Sequence, residues 1–185
     1  GIRDLVRSRG LGDVYKRQIK HILNSAGIER FTDYQMDMVR LGIGLYGVSA
    51  SGQKGLRNIS TLKTTILQIQ NVPAGDSIGY SRMSYVKRDS RIAIIPIGYA
   101  DGLDRHFSNG GGEVVINGHR CPIIGNICMD ACMIDVTDTD AHEGDSVIIF
   151  GEELPVSELS DKLKTIPYEI LTSISPRVKR VYYRE

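Results

Sequence analysis

Two apolar segments that end in small and polar residues are the most informative part of this sequence for chemistry. Residues 94–102 read Ile-Ile-Pro-Ile-Gly-Tyr-Ala-Asp-Gly, and residues 125–130 read Gly-Asn-Ile-Cys-Met-Asp. A strand that only packs a core has no need to end in this way. The endings indicate a sharply turned backbone that presents a phenol and carboxylates at a rim. For either segment alone, an ordinary turn with Tyr99 and Asp101 as surface residues is the favoured interpretation.

Besides these two segments, Tyr80 is a candidate for a catalytic side chain. It lies between Gly79 and Ser81, just past the predicted turn at residues 73–76. Glycine permits a close approach of the backbone, so the phenol could project into a site. An unperturbed phenol has a pKa of about 10, and it acts as a base near neutral pH only where a cation or a hydrogen-bond donor stabilises the phenolate. The residue types alone favour a half-buried core tyrosine.

Length, composition and charge exclude several classes of protein. The chain has 185 residues, which suffices for one domain with a core, alone or with part of another domain. Its formal net charge of +1 gives no electrostatic argument for binding nucleic acid or an acidic membrane surface. No apolar run approaches the roughly 18 residues of a transmembrane helix. These features predict a globular protein with neither nucleic-acid nor membrane partners.

Three cysteines cluster late in the chain, at Cys121, Cys128 and Cys132. An odd number argues against a complete disulfide framework and is typical of a reducing cytoplasm. The alternative is a zinc site at Cys128-x3-Cys132. That motif lacks a second pair of ligands and lies in a predicted strand, so no metal site is predicted.

The first half of the chain contains elements of α/β type. Residues 1–18 are basic and polar without a sustained apolar period, and we interpret them as a leader foreign to the fold, the alternative being a short native helix. Residues 19–48 then predict a strand at 21–26, a short helix capped by Thr32 or Asp33, and a strand with a glycine-rich loop at 38–47. This series is typical of the last β/α unit of a truncated TIM-type barrel. Residues 49–58 are predicted to be a linker.

From residue 59 to residue 185 the pattern predicts a mainly β domain, a small β-barrel with Greek-key-like connections. The Asn117-Gly118 pair between two apolar runs predicts a tight hairpin. One helix is predicted at residues 155–164, with Ser157 as its N-cap. Strands are predicted at residues 61–72, 91–97, 113–116, 120–124, 133–136, 146–150 and 177–183.

Several motifs in this order resemble the C-terminal portion of the alanine racemases. The chain presents Ile78-Gly79-Tyr80, then residues 95–102, then Ile-Cys-Met-Asp at 127–130. The resemblance extends from residue 19 to the C-terminus, through residues 24–26, 38–47, 168–170 and 174–175. It implies an isomerase that depends on pyridoxal 5'-phosphate and interconverts L- and D-alanine for peptidoglycan in a bacterial cytoplasm. It also implies a homodimer whose active site is shared across the interface.

The resemblance implies a role for each of several residues. Tyr80 matches a catalytic base that works opposite the cofactor-binding lysine. Ser25 and the backbone amides of Gly42 and Ile43 match positions that bind the cofactor's phosphate. Arg40 matches an arginine that faces the pyridine nitrogen, the alternative being a salt bridge at the surface or at the dimer interface.

A second group of residues is implied to handle the substrate. Met129 matches a position whose backbone N–H contacts the substrate carboxylate. Tyr99, Asp101, Arg105 and Asp130 match positions that line or support the entrance to the site, and for these four a structural role is equally open.

The chain departs from the family in two places. Many members have Ile-Ser-Tyr-Arg-Val near the C-terminus, where a tyrosine contacts the phosphate, but here Pro176 replaces that tyrosine. Neither Lys16 nor Lys20 lies in the motif of the cofactor-binding lysine. The chain alone is therefore expected to be inactive. Two alternatives stay open: a racemase for serine or another small amino acid, and a dimerisation or docking module in a ligase–racemase fusion.

Overall fold

The computed structural model describes residues 19–52, 55–82 and 84–183. The chain divides into two compact units, residues 1–57 and residues 58–185. The predicted leader, residues 1–18, lies outside the described residues.

The first unit contains a short α-helix, α1 (Ser25–Arg30), and two 3₁₀-helices, Thr32–Tyr34 and Ile43–Tyr46. Helix α1 begins where it does because the side chain of Asn24 caps it, accepting the N–H of Gly27 at 3.0 Å. The predicted helix beyond Thr32 stops after three residues. Met36 has a left-handed backbone (φ 55°), which a continuing helix does not allow.

Two segments of this unit run parallel although neither has the regular bonding of a strand. The Asp37 N–H donates to the Lys20 carbonyl at 3.2 Å, and the Arg40 N–H donates to the Leu23 carbonyl at 2.9 Å. The Gly42 N–H donates to Ser25 Oγ, again 17 positions away. In all three hydrogen bonds the donor lies 17 positions after the acceptor, and α1 lies between the two segments. Such an arrangement is that of a parallel β/α unit. The predictions of strands at 21–26 and 38–47 are wrong. The last residues of the first segment begin α1, and those of the second form the 3₁₀-helix Ile43–Tyr46.

The second unit contains nine strands, as far as the described residues show. They are β1 (Leu62–Thr65), β2 (Gln68–Val72), β3 (Ser77–Ile78), β4 (Ser84–Tyr85), β5 (Ser90–Ile95), β6 (Glu113–Ile116), β7 (His119–Ile124), β8 (Cys132–Asp135) and β9 (Ser146–Phe150). Seven of them form one sheet in the order β1-β9-β6-β7-β8-β5-β2, with antiparallel pairing throughout. The other two, β3 and β4, form a separate two-stranded sheet.

The large sheet curls because its two outermost strands are consecutive in the chain. Between β1 and β2 only Ile66 and Leu67 intervene. Ile66 donates to the Asp145 carbonyl beside β9, and Leu67 donates to the Ile94 carbonyl in β5. One bent segment therefore serves both edges of the sheet. The predicted mainly β, barrel-type domain is confirmed as a curled antiparallel sheet.

The interior of the curled sheet holds the core of this unit. The inward residues are fully buried, among them Ile95, Val114, Ile116, Ile123, Ile134 and Val147. The Asn117-Gly118 hairpin is confirmed, since both residues have positive φ (49° and 76°), as the tight turn between β6 and β7 requires.

Two helices follow the last strand, α2 (Val156–Leu163) and α3 (Pro167–Ser173). The prediction of α2 is confirmed, but its N-cap is Pro155 without a side-chain hydrogen bond, so the assignment of Ser157 is wrong. Helix α3 was not predicted, although Pro167 in its first turn is a usual start signal. The predicted strand at 177–183 is wrong, because those residues form a turn and irregular chain. Among the described residues, no helix has the length and apolar character needed to cross a membrane.

Candidate active site

In the first unit, the residues predicted to bind phosphate lie together. The hydroxyl oxygen of Ser25 accepts the N–H of Gly42 at 2.8 Å and the N–H of Gly44 at 3.4 Å. Ser25 is buried at the start of α1, and Ile43 is buried at the start of its 3₁₀-helix. A hydroxyl that accepts N–H groups still carries its own proton for donation. The cluster therefore combines a hydroxyl with backbone N–H groups, a donor set suited to an anion.

Arg40 is held beside this cluster by the parallel segments. Its backbone N–H donates to the Leu23 carbonyl at 2.9 Å, and its Nη2 donates to the Ile22 carbonyl at 3.3 Å. No carboxylate among the described residues pairs with it, so the alternative of a salt bridge within the chain is not seen there. A guanidinium has five N–H donors, so one backbone carbonyl leaves donors for a ligand.

A carboxylate fixes the loop that follows the second 3₁₀-helix. Glu29 accepts the N–H of Ala50 and the N–H of Ser51, both at 3.1 Å, and the hydroxyls of Ser49 and Ser51. Mainly through the hydrogen bonds from the Ser51 and Ser49 hydroxyls, the pKa of Glu29 falls to about 2. The contribution of this carboxylate to stability is therefore fully present above its ordinary pKa of 4.5 and is lost as the pH falls towards 2.

Replacing Glu29 by alanine should release this loop. We expect the amide protection factors of Ala50 and Ser51 to fall several-fold at neutral pH, measured by hydrogen exchange. Wild-type protection should fall in the same way on acidification below pH 4.5. Glu152→Ala, on the exposed surface of the other unit, is the control and should leave both amides unchanged. Unchanged protection in Glu29→Ala would contradict the role of the carboxylate.

In the second unit, Tyr80 is presented to solvent. It follows β3 and begins a 3₁₀-helix, Tyr80–Arg82, after Gly79 turns the chain with a φ of 73°. The side chain is 74% exposed, so the alternative of a half-buried core tyrosine is wrong. Beside it lies an apolar cavity of about 340 Å³, lined by Gly79, Tyr80, Ile94, Cys128, Ala131, Cys132 and Met133.

The two segments singled out in the sequence pack directly on each other. The N–H of Tyr99 donates to the Cys128 carbonyl and the N–H of Ala100 donates to the Met129 carbonyl, both at 3.0 Å. A Cβ on Gly98 would lie 2.3 Å from the Cys128 carbonyl oxygen and 2.4 Å from that of Met129. Only glycine allows this approach, so the two turns are stacked through their backbones.

A third segment, residues 173–177, closes against the same turns. The Ser175 N–H donates to the Asp101 carbonyl at 3.0 Å. Arg177 donates through Nε to Asp101 Oδ1 at 2.7 Å and through Nη2 to Asp130 Oδ1. Two of the predicted entrance residues therefore share one guanidinium. The hydrogen bond from Arg177 holds the pKa of Asp101 below its ordinary value, and Asp101, followed by Asp130, raises the pKa of Arg177.

Sequence reasoning did not find Arg177 as a functional candidate. It is 76 residues from Asp101 and 47 residues from Asp130. No local pattern connects positions so far apart. The one available signal was its place next to Pro176, inside the motif that departs from the family.

The remaining predicted residues are exposed around the stacked turns. Met129 is 54% exposed, and its N–H donates to no acceptor in the described part of the chain. Tyr99 and Arg105 line a cleft of about 710 Å³ that also reaches α2 and α3. Tyr80 lies on the smaller cavity and not on this cleft. The predicted substrate residues thus surround one pair of turns without sharing one cavity.

The cysteines are free thiols of different character. Cys132 and Cys121 are buried, and burial raises the pKa of Cys132 to about 12 and that of Cys121 to about 11. Cys128 is partly exposed on the cavity beside Tyr80. Among the described residues, no group of three or more potential metal ligands is found.

Comparison with known proteins identifies the family of the chain. The family model described as "Alanine racemase, C-terminal domain" matches residues 59–182, and "Alanine racemase, N-terminal domain" matches residues 7–50. Alanine racemase 1 of Caldanaerobacter subterraneus subsp. tengcongensis is 44% identical over 91% of this chain and 45% of its own length. The alanine racemase of Halothermothrix orenii is 42% identical over 89% of this chain and 45% of its own length.

Solved structures give the same result. The alanine racemase of Bartonella henselae with covalently bound pyridoxal phosphate is 41% identical, with a TM-score of 0.82, over 87% of this chain and 46% of that one. The alanine racemase of Bacillus anthracis with bound L-Ala-P is 34% identical, with a TM-score of 0.87, over 99% of this chain and 49% of that one. The chain spans about half the length of the relatives it matches. With its second unit matched almost throughout by the family's C-terminal domain, the chain belongs to the alanine racemase family.

Proposed function

We propose that this chain is the C-terminal part of a pyridoxal-phosphate-dependent alanine racemase, and that it contributes the catalytic base Tyr80. The complete enzyme interconverts L- and D-alanine in a bacterial cytoplasm and supplies D-alanine for peptidoglycan. The observation that carries the proposal is the position of Tyr80. Its phenol is exposed after a left-handed glycine, on a cavity that is also lined by Cys128 from one of the stacked turns.

Racemisation requires that a proton leave one face of the α-carbon and that a proton arrive at the other face. Two bases on opposite faces are the simplest arrangement. Tyr80 supplies one phenolic oxygen for this transfer. In the proposed homodimer it serves the cofactor held by the partner subunit, as the family resemblance implies, and its exposure makes it available for that role.

The donors in the first unit fit the cofactor's anionic phosphate. The Ser25 hydroxyl and the N–H groups of Gly42 and Ile43 are assigned to it, with the Gly42 N–H exchanging its present acceptor, Ser25 Oγ, for the phosphate. When bound, pyridoxal phosphate supplies the electron sink that makes the α-proton of alanine removable. Arg40 is assigned to the pyridine nitrogen. A guanidinium stays protonated, so it donates to that nitrogen and leaves it without a proton.

Pro176 removes one donor from this set. Proline has neither a hydroxyl nor an N–H, so it cannot replace the phosphate-contacting tyrosine found in many family members. The phosphate of the cofactor then depends more heavily on Ser25 and the backbone amides. The replacement does not affect the two proposed bases, which are Tyr80 and the cofactor-binding lysine of the family.

Met129 is assigned to the substrate carboxylate through its backbone N–H. Backbone N–H groups donate well to carboxylates and carry no side-chain entropy. Tyr99 and Arg105 are assigned to the entrance, because both line the cleft beside the stacked turns.

The proposal is tested on the complete natural protein with pyridoxal phosphate. Conversion of L-alanine to D-alanine should be measured, with L-serine in parallel. Turnover of alanine supports the proposal, whereas preferential turnover of serine would instead identify a related racemase. Absence of turnover with any small amino acid would favour a docking module and would overturn the proposal.

The 185-residue chain on its own should not racemise alanine. It contains no lysine in the motif that the family uses to bind the cofactor. The purified chain, incubated with pyridoxal phosphate and L-alanine, is expected to form D-alanine no faster than the cofactor alone does. Racemisation above that rate would show that this chain holds a complete site.

A further inference from the structure

Arg177 joins the carboxylates of two separate turns. Its Nε donates to Asp101 Oδ1 at 2.7 Å, and its Nη2 donates to Asp130 Oδ1. The side chain of Asp101 is 13% exposed, whereas those of Arg177 and Asp130 are 47% and 63% exposed. The pair with Asp130 is exposed on both sides, and exposed ion pairs contribute little to folding stability. The bridge also fixes the relative positions of the two turns that carry the carboxylates.

Asp101 links this bridge to the backbone of the first turn. Its second oxygen, Oδ2, accepts the N–H of Gly98 at 2.9 Å, and its carbonyl accepts the N–H of Ser175 at 3.0 Å. The segment that carries Arg177 is therefore fastened at two points. One guanidinium ties three segments that are distant in sequence.

The peptide between Cys128 and Met129 is oriented by these contacts. Its carbonyl oxygen accepts the N–H of Tyr99 at 3.0 Å. In a planar trans peptide the N–H points opposite to the C=O. The Met129 N–H is consequently directed away from the turn at 98–102, and it donates to no acceptor among the described residues.

The next peptide is also held. The Met129 carbonyl accepts the N–H of Ala100 at 3.0 Å, and Asp130 is bound by Arg177. Met129 is thus fixed on both sides, by the first turn through backbone bonds and by Arg177 through its neighbour. Without Arg177, the attachment of Asp130 is lost and the turn retains only its backbone bonds.

We propose that Arg177 is a positioning residue, which bridges Asp101 and Asp130 and thereby aims the Met129 N–H at the substrate carboxylate. The inference rests on the proposed function, because it refines how that carboxylate is bound. Arginine suits this task because its planar fork presents donors to two acceptors in fixed directions. The ammonium of a lysine is a single point of charge.

The test uses the complete protein with its cofactor and the variants Arg177→Gln and Arg177→Lys. We expect KM for alanine to rise roughly tenfold or more in both variants, with kcat changed by less than about threefold, since a misplaced binding group weakens the bound state. Propanoate, which is alanine without its amino group, reports the carboxylate contact alone. Its inhibition constant should rise in parallel with KM.

Arg120→Gln is the matched control. Arg120, on strand β7, also pairs with two carboxylates, but these are Glu113 on strand β6 and Glu158 on helix α2. The control should leave KM and the inhibition constant of propanoate unchanged. Should Arg177→Gln fail to fold, Asp130→Asn replaces it, because it removes only the more exposed arm and should raise the same two constants.

Unchanged KM and propanoate inhibition in the Arg177 variants, with an active wild type, would overturn the positioning role. Full recovery in Arg177→Lys would overturn it as well, since a lone charge would then suffice. A wild-type protein without racemase activity would instead be a failure of the proposed function. The two failures are therefore distinguishable.

Discussion

Tyr80→Phe in the complete protein is expected to lower kcat for alanine racemisation by about 10²- to 10⁴-fold, the usual contribution of a positioned acid or base. The variant removes one oxygen and keeps the ring. Because the side chain is 74% exposed within this chain, the lost hydroxyl leaves no buried group of the chain unsatisfied. Cofactor absorbance and the midpoint of thermal unfolding should therefore equal those of the wild type.

Tyr85→Phe is the matched control for this measurement. Tyr85 lies on β4, close in sequence to Tyr80, and its side chain is also exposed, at 61%. It does not line the cavity beside Tyr80. Equal activity in wild type and Tyr80→Phe would make Tyr80 a structural residue. Equal losses in both variants would remove the argument for a specific role of Tyr80.

Gly98→Ala is expected to destabilise the second unit by about 3 kcal/mol, at the upper end of overpacking costs. The added Cβ would lie 2.3 Å and 2.4 Å from two carbonyl oxygens, and neither can move aside as a flexible side chain could. The stacked turns would have to separate, with loss of the hydrogen bonds to Cys128 and Met129. Denaturant unfolding of wild type and variant measures the change in the free energy of unfolding.

Gly144→Ala separates this clash from the general cost of replacing a glycine. Gly144 has a φ of 90° and no atom within 4 Å of an added Cβ, so only backbone strain of about 1 kcal/mol is expected. Gly98→Ala should also raise KM for alanine, because the Met129 peptide loses its support. Equal destabilisation by both variants would contradict the close stacking of the two turns.

Local signals in the sequence were sufficient for the strands and the hairpin. Strand β9 was predicted with its observed bounds, and Asn117-Gly118 with its turn, because alternation and two positive φ values are properties of adjacent residues. The single predicted strand at 61–72 became two. Residues 66–67 bend to serve both edges of the sheet, and that bend is imposed by distant partners.

The C-terminal prediction failed for an identifiable reason. Residues 177–183 were predicted to be a strand, but they pair with no strand of either sheet. Arg180 instead donates to the carbonyls of Ile174, Ser175 and Val178, which holds the chain in a compact turn. Side-chain capping of this kind competes with strand pairing and leaves no periodic trace in the sequence.

The candidate site was predictable residue by residue but not as an arrangement. Ser25 and Gly42 were expected together and are joined by a hydrogen bond. Asp101 and Asp130 were expected at an entrance, while the guanidinium that joins them was not. Contacts over 76 and 47 residues follow from how the sheet curls, and not from any local motif.

The most direct test of Tyr80 as one of two opposed bases is deuterium incorporation at the α-carbon of alanine in D₂O, followed separately from L- and D-alanine with the complete Tyr80→Phe protein. If Tyr80 serves one face only, the variant should still exchange the α-proton of one enantiomer and should fail to exchange that of the other. The wild type should exchange both. Equal exchange from both enantiomers in the variant would contradict the assignment of Tyr80 as the base on one face.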